Sequence, residues 1–358
     1  MLPRAFTHRL LSPEDLAPSH EALRVIGTFN PGATRLPDGR IVLMVRVAES
    51  PVDQRPGHHA LPRWDEQGQL QVQHLPEDQD ILKDPRKVVR AADGLMRLKF
   101  VSHLRTLVLD ESGRKVVDEL TPLDCQGPYE TFGTEDARIT LIDGLYYVTY
   151  VSVSEHGAAT SLATTTDFRS FERHGVIFCP ENKDVMLLPE KIAGRFVALH
   201  RPNTYQRFCK PEIWLASSDD ARQWGGHRFV WRGKYAWDDD RIGAGVPPIR
   251  VPPRGEEPGG WLEMYHGSRR ATRPGEVGAY QAGLLLPDPD TPARVLPHSP
   301  EPIMAAQQDW ERQGFVPDVV FPTGVVEDRS RWLVFYGAAD THVGVTAFDL
   351  DDLRGALR

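Results

Sequence analysis

Cysteine is scarce in this sequence. The three present, Cys125, Cys179 and Cys209, make an odd set with no CxxC spacing. That argues against a disulfide framework and a zinc knuckle, and fits reduced thiols in a cytoplasmic protein. Long hydrophobic runs are missing as well. No stretch approaches the ~20 apolar residues that cross a bilayer. The opening MLPRAFTHRLLSPEDLAP lacks the apolar core of a secretion signal. A membrane partner is therefore not expected. Nor is there a surplus of positive charge: 42 Lys and Arg stand against 50 Asp and Glu, a net of -8. A nucleic-acid backbone needs a basic face, so no nucleic-acid partner is expected. No P-loop, G-x-S-x-G elbow or dinucleotide fingerprint occurs. The histidines lack ligand spacing, and His58-His59 fall in a polar stretch, so no metal is expected. Long helical patterns are few, as 30 Gly and 30 Pro would dictate.

What the chain does contain is a recurring strand signal. Runs at 36–47, 92–104, 142–154, 192–201, 259–268 and 328–340 each read as a turn followed by alternating apolar residues, the period of a strand. Asp-Gly pairs launch three of them, a strong hairpin signal. A second theme follows: ATSLATTTDFRSFERHGVIF (159–178) matches EIWLASSDDARQWGGHRFVW (212–231), with looser copies at 280–296 and 342–353. Self-similarity at roughly fifty to seventy residues points to repeated small antiparallel sheets. The expected fold is all-β, a five-bladed β-propeller with its active site in the central channel. Six launch runs fit five blades if the chain ends share one. A two-sheet sandwich would not need repeats this long. Helix-like patterns are confined to SPEDLAPSHEALRV and MAAQQDWERQG. Residues 1–358 read as one domain, and the polar, irregular segment at about 50–92 reads as an insertion over one end.

In a propeller, polar residues at the ends of the innermost strands face a shared channel. The stretch GPYETFGTEDARIT (127–140) places Glu135, Asp136 and Arg138 at the mouth of a strand. Asn30, Arg46, Lys183-Asp184, His200-Arg201, Arg241, Tyr265-His266 and Asp340 lie at comparable places. Each has an ordinary reading. Paired acids in a turn are usually solvated, NKDV fits a turn closed by Asn182, and RIGAGVPPI fits a tight turn. Together they aim several cations at one axis of a net-negative chain, which suits a bound anion.

These strings resemble glycoside hydrolase family 130, the inverting β-mannoside phosphorylases. The likeness rests on FNPGATRL (29–36), GTEDARIT (133–140), NKDVMLLPEKIAG (182–194), LHRP (199–202) and EIWLASSDD (212–220). It continues through RIGAGVPPI (241–249), WLEMYHG (261–267), YQAGLLL (280–286), GFVPDVVFPTG (314–324) and FYGAAD (335–340). Segment 50–92 and the first twenty residues lie outside it. The resemblance implies that Asp136 is the proton donor, acting through a sugar hydroxyl. It implies that Lys183, Arg201, Arg241, His266 and Tyr280 bind phosphate. It implies that Asn30, Arg46 and Asp340 hold the mannosyl unit, with Glu135 and Arg138 also at the substrate. Ala137 stands where the family often has proline, Lys183 where many members have arginine, and Arg241 where many have lysine. A lysine cannot grip two oxygens as a guanidinium fork does.

The implied reaction is phosphorolysis of a β-mannoside, β-1,4- or β-1,2-linked, by inorganic phosphate to α-mannose 1-phosphate. It needs no cofactor; phosphate is the co-substrate. Phosphate is already an anion and a nucleophile, so one acid and a cationic cradle replace the acid–base pair of an inverting hydrolase. Glu135 is then expected to orient Arg138 or a sugar hydroxyl. The rivals are a β-mannosidase using water, with Glu181 as its candidate base, and a sugar-binding propeller without catalysis. A homo-oligomer would be ordinary for such a chain.

Overall fold

The computed structural model describes residues 1–79, 84, 86–203, 208–271 and 277–358. Its strands form four principal sheets, two of the separate hairpins coming from the 50–98 region. The longest sheet has eight strands and divides into two four-stranded meanders. The first holds Leu23–Arg35, Ile41–Pro51, Val101–Leu109 and Val116–Glu119. The second holds Gly133–Ile142, Leu145–Ser154, Gly157–Thr165 and Glu172–Phe178. One parallel pair, Gly133 with Ser102, joins them. Gly133 has φ 118°, and a Cβ there would lie 2.2 Å from the Ser102 carbonyl oxygen. Only glycine fits so close a backbone approach.

A third unit runs Asn182–Leu187, Phe196–Pro202, Ile213–Ser218 and Gly225–Trp231. A fourth is built on Arg241–Ala244, Gly260–Ser268, Tyr280–Pro287 and Val295–His298, with Ile249–Val251 pairing the second of these. In the last unit Val320–Asp328, Arg331–Ala338 and His342–Asp349 are completed by Phe6–Leu11 from the chain's start. The sharing of one sheet by the two chain ends is as the sequence suggested.

The core lies between units. Val42 and Met44 of the first pack with Ile139 and Tyr150 of the second. Ile142 and Leu162 of the second pack with Leu187 and Phe196 of the third. Leu199 and Leu215 of the third meet Trp261 and Tyr265 of the fourth. Met264 and Leu284 of the fourth meet Trp332 and Tyr336 of the fifth. Leu333 and Phe335 of the fifth then meet Leu43 and Val45 of the first. Successive residues of one strand thus enter different interfaces, because side chains alternate across a strand. Ile41–Pro51 is buried along its whole length for this reason.

Four expectations need correcting. The launch runs are not alternating apolar and polar. They are central strands buried on both faces, so apolar residues fill both registers. The run at 92–104 is no separate unit, since its strand is the third of the first meander. The two helix-like stretches shorten to a 3-10 turn at Pro13–Asp15 and one α-turn at Asp309–Arg312. Segment 50–92 is less irregular than its composition implied. It contains the hairpin His58–Trp64/Leu70–Pro76 and the strand Lys87–Val89, which pairs Met96–Leu98. Its residues 80–83 and 85 lie outside the described residues. Among the described residues, no helix is long and apolar enough to cross a membrane.

Candidate active site

The first strands of three units carry the same irregularity. Asn30 and Pro31 oppose a single residue between the pairs Phe29–Arg46 and Gly32–Met44. Asp136 and Ala137 do so between Glu135–Val151 and Arg138–Thr149. Asp184 and Val185 do so between Lys183–Arg201 and Met186–Leu199. Two residues against one is a β-bulge, which bends the strand and re-aims a side chain. Asn30, Asp136 and Asp184 sit at φ 48°, 47° and 53°. Asn and Asp tolerate that left-handed conformation better than other non-glycine residues, so each bulge selects the residue type found there.

The bulges turn these three side chains into one cavity of about 470 Å³. Its walls also carry Arg46, Glu135, Lys183, Arg201, Arg241, Tyr280 and Asp340. Nine of the eleven residues to which the family resemblance gives a role therefore share one space, with Asp184 beside them. Asp136 Oδ1 accepts hydrogen bonds from Asn30 Nδ2 at 2.9 Å and from Arg46 at 3.1 Å. Its Oδ2 has no protein donor among the described residues. Arg46 also donates to Glu135 at 2.7 Å and to Ser102 at 3.1 Å, and lies over the Phe29 ring. Glu135 is bridged on its other oxygen by Lys183 Nζ at 3.1 Å. Burial works to raise the Glu135 pKa, but Arg46 and Lys183 overcome it and hold the group below the usual range. Burial opposes the Lys183 charge, and Glu135 and Asp136 more than restore it. Asp340, at φ 49°, has no such close cation. Burial pushes it up to about 6, Arg46 opposing and Asp136 assisting.

Asp184 anchors a second cluster. Arg201 approaches its Oδ2 at 2.5 Å and His266 Nε2 at 3.2 Å, while Arg138 stands 3.6 Å from Oδ1. Against its burial, Arg201, the hydrogen bond with His266 and Arg138 keep Asp184 well below the ordinary carboxylate range. Burial lowers His266 despite its carboxylate neighbour, so the imidazole is neutral near pH 7. Arg241 is more open, with Asp240 at 3.5 Å and Tyr280 supporting its charge.

Two nominated residues stand behind the wall. Arg138 is fully buried and donates to the carbonyls of Gly245 at 2.8 Å and Asp136 at 2.7 Å. It pins the bulge that aims Asp136, and it is Arg46, not Arg138, that Glu135 holds. His266 is fully buried and reaches the cavity through Arg201 and Asp184. Glu181 is exposed, accepts the Ala158 N–H at 3.0 Å and does not line the cavity. Asn182 donates to His200 rather than closing a turn. Asp84, Arg86, Lys87, Phe100, Asp240 and Phe315 also line the cavity and were not nominated. Three of them come from the polar segment, whose composition gave no strand register to place them. Among the described residues, no three His, Cys, Asp or Glu are grouped to hold a metal ion.

A model of glycoside hydrolase family 130, described as beta-1,4-mannooligosaccharide phosphorylase, matches residues 119–357. The chain is 38% identical over 340 residues to the beta-1,2-mannobiose phosphorylase of Listeria innocua, covering 93% of this chain and 91% of that one. It is 34% identical over 229 residues to a 1,2-beta-oligomannan phosphorylase of Thermoanaerobacter, covering 63% and 71% of the two. The structure of the Listeria innocua enzyme with beta-1,2-mannobiose superposes with a TM-score of 0.89 at 34% identity, covering 98% of this chain and 99% of that one.

Proposed function

The chain belongs to glycoside hydrolase family 130, and from that premise we propose that it is an inverting phosphorylase of β-1,2-linked mannosides. A phosphate oxygen attacks C1 of the mannosyl unit from the face opposite the glycosidic oxygen. The C1–O bond breaks, and the departing oxygen takes a proton supplied by Asp136 through a sugar hydroxyl. The products are α-mannose 1-phosphate and the shortened sugar. Electrostatic stabilisation of the anionic nucleophile falls to Lys183, Arg201 and Arg241. Asn30, Arg46 and Asp340 are assigned to the mannosyl unit, and Tyr280 to the phosphate side.

The observation that carries this reading is the meeting in one cavity of three cations with Asp136, held through Oδ1 by Asn30 and Arg46 while its Oδ2 has no protein donor among the described residues. Glu135 and Asp184 are each tied to cations, so neither is placed as a free base for water. The relatives favour the β-1,2 linkage over the β-1,4 linkage. The ring of inter-unit packing supports closure of the five four-stranded units into a five-bladed propeller. Residues 1–358 then form one domain, with the 50–98 region an insertion over one end whose hairpin Lys87–Val89/Met96–Leu98 reaches the cavity. Its unpaired thiols suit a cytoplasmic protein.

The test is release of mannose 1-phosphate from β-1,2- and β-1,4-mannobiose with and without inorganic phosphate. Product that requires phosphate is expected, with the β-1,2 disaccharide preferred. Free mannose formed equally fast without phosphate would replace this reading with hydrolysis. Asp136→Asn should lose roughly 10²–10⁴-fold in kcat, the range for general acid catalysis. Its retention of sugar binding separates an acid from a merely structural carboxyl.

A further inference from the structure

Asp84 and Arg86 enter the cavity from the segment that the sequence left without a role. Asp84 is buried, and its main-chain oxygen is held by Lys99 Nζ at 2.9 Å. The Lys99 N–H donates to the Arg86 carbonyl at 3.0 Å. The segment is thereby fixed to the residue preceding Phe100, at the start of strand Val101–Leu109. The Asp84 carboxylate then grips one edge of the Arg86 guanidinium, accepting from Nε at 3.0 Å and from one terminal nitrogen at 2.8 Å. A bidentate grip of this kind fixes the plane of the fork. The other terminal nitrogen, Nη1, has no protein partner among the described residues.

Three features suit Arg86 to a sugar hydroxyl. The Asp84–Arg86 pair carries no net charge, and the bidentate grip leaves it directed donors. Such donors suit a neutral hydroxyl. The neighbouring wall is aromatic: Phe100 meets Phe315 edge-on at 6.0 Å, and both line the cavity. A sugar ring presents apolar C–H faces to such a wall and hydroxyls at its edge. Arg86 is also nearer solvent than groups placed at the mannosyl unit and its bond, its side chain 26% exposed against 10% for Arg46 and Asp136. A mannosyl unit held at those more buried groups leaves the more open part of the cavity to the leaving-group sugar.

We propose that Arg86, oriented by Asp84, is a specificity-determining residue that binds the leaving-group sugar through its free guanidinium nitrogen. This rests on the phosphorylase reading above. Arg86 contacts the substrate, and Asp84 is a positioning residue that acts through it.

The experiment runs the reaction in the synthetic direction, with α-mannose 1-phosphate as donor and D-mannose or β-1,2-mannobiose as acceptor. Arg86→Ala should raise the acceptor KM about ten- to a hundredfold, as expected for loss of a hydrogen bond from a charged donor. The KM for mannose 1-phosphate should stay within about twofold, since the phosphate cations are untouched. Arg86→Lys keeps the charge and the fold but lacks the fork, and should show most of the same loss. Asp84→Asn should raise the acceptor KM with kcat little changed, and Arg86→Lys should not be further weakened by it. An unchanged acceptor KM in both Arg86 variants overturns the proposal. So does a rise confined to mannose 1-phosphate or phosphate, which would make Arg86 part of the anion cradle. Failure of the wild-type chain to make any disaccharide would instead sink the phosphorylase reading, and binding of D-mannose to Asp136→Asn with and without Arg86→Ala still tests the contact.

Discussion

Asp340 is half-buried beside Asp136 and Glu135, and Arg46, the cation that most opposes its upward shift, hydrogen-bonds two other carboxylates. That sharing explains why Asp340 is raised to about 6 while Glu135 is lowered. An ionised Asp340 accepts a hydrogen bond from a mannosyl hydroxyl more strongly than a protonated one does. kcat/KM for the mannoside should therefore rise as pH passes about 6 in the free enzyme, since that profile reports free-enzyme groups. Asp340→Asn should lower kcat/KM and remove this limb of the profile. A limb near 6 that survives the substitution would assign it to another group. The second ionisation of phosphate also falls near this range, so the profile belongs at saturating phosphate with the mannoside varied.

Elements aim these residues more than sequence neighbours do. The identities Asn30, Asp136 and Asp184 were legible as site candidates, because each is polar next to an apolar strand. The bulges that unite them were not. A bulge is a two-against-one mismatch with the neighbouring strand, and one strand read alone contains no register. Arg138 and His266 were misplaced for a related reason: polarity marks them, but depth behind the wall depends on which unit packs on which. Close packing of the units makes Gly243 a sensitive point. A Cβ there would lie 2.1 Å from Asp184 Oδ2 and 2.6 Å from His266 Nε2. Gly243→Ala should displace the carboxylate that holds Arg201. The phosphate KM should rise by about tenfold or more, with a stability loss of about 1–3 kcal/mol typical of overpacking. Gly225→Ala is the control, since nothing lies within 4 Å of its added Cβ. Equal effects at the two glycines, measured by kinetics and thermal melting, would refute the coupling.

At the scale of the whole molecule, polar groups buried between units are mostly hydrogen-bonded across them, as Thr149 is to the Val185 carbonyl and Thr323 to that of Pro31; Glu263 differs. It is fully buried on strand Gly260–Ser268, and the Gly245 N–H near its carboxyl is too poorly aligned to satisfy either oxygen. Burial pushes its pKa up to about 8 from an ordinary 4.5. A carboxyl raised in the folded state binds a proton more tightly there than in the unfolded chain. Its contribution to stability is therefore full below about 4.5 and is lost as pH rises through about 8. The loss across that window is on the order of a few kcal/mol, at about 1.4 kcal/mol per pKa unit. Urea unfolding at pH 5 and pH 8, in phosphate-free buffer so that ligand linkage does not intervene, should show the wild-type midpoint falling. Glu263→Gln removes the titration and should flatten this slope. Glu263→Met, which removes the buried charge at similar volume, should unfold at higher urea than wild type at pH 8. A wild-type midpoint that holds steady from pH 5 to 8, or a slope unchanged in Glu263→Gln, would mean that water or a neighbour satisfies this carboxylate inside the ring.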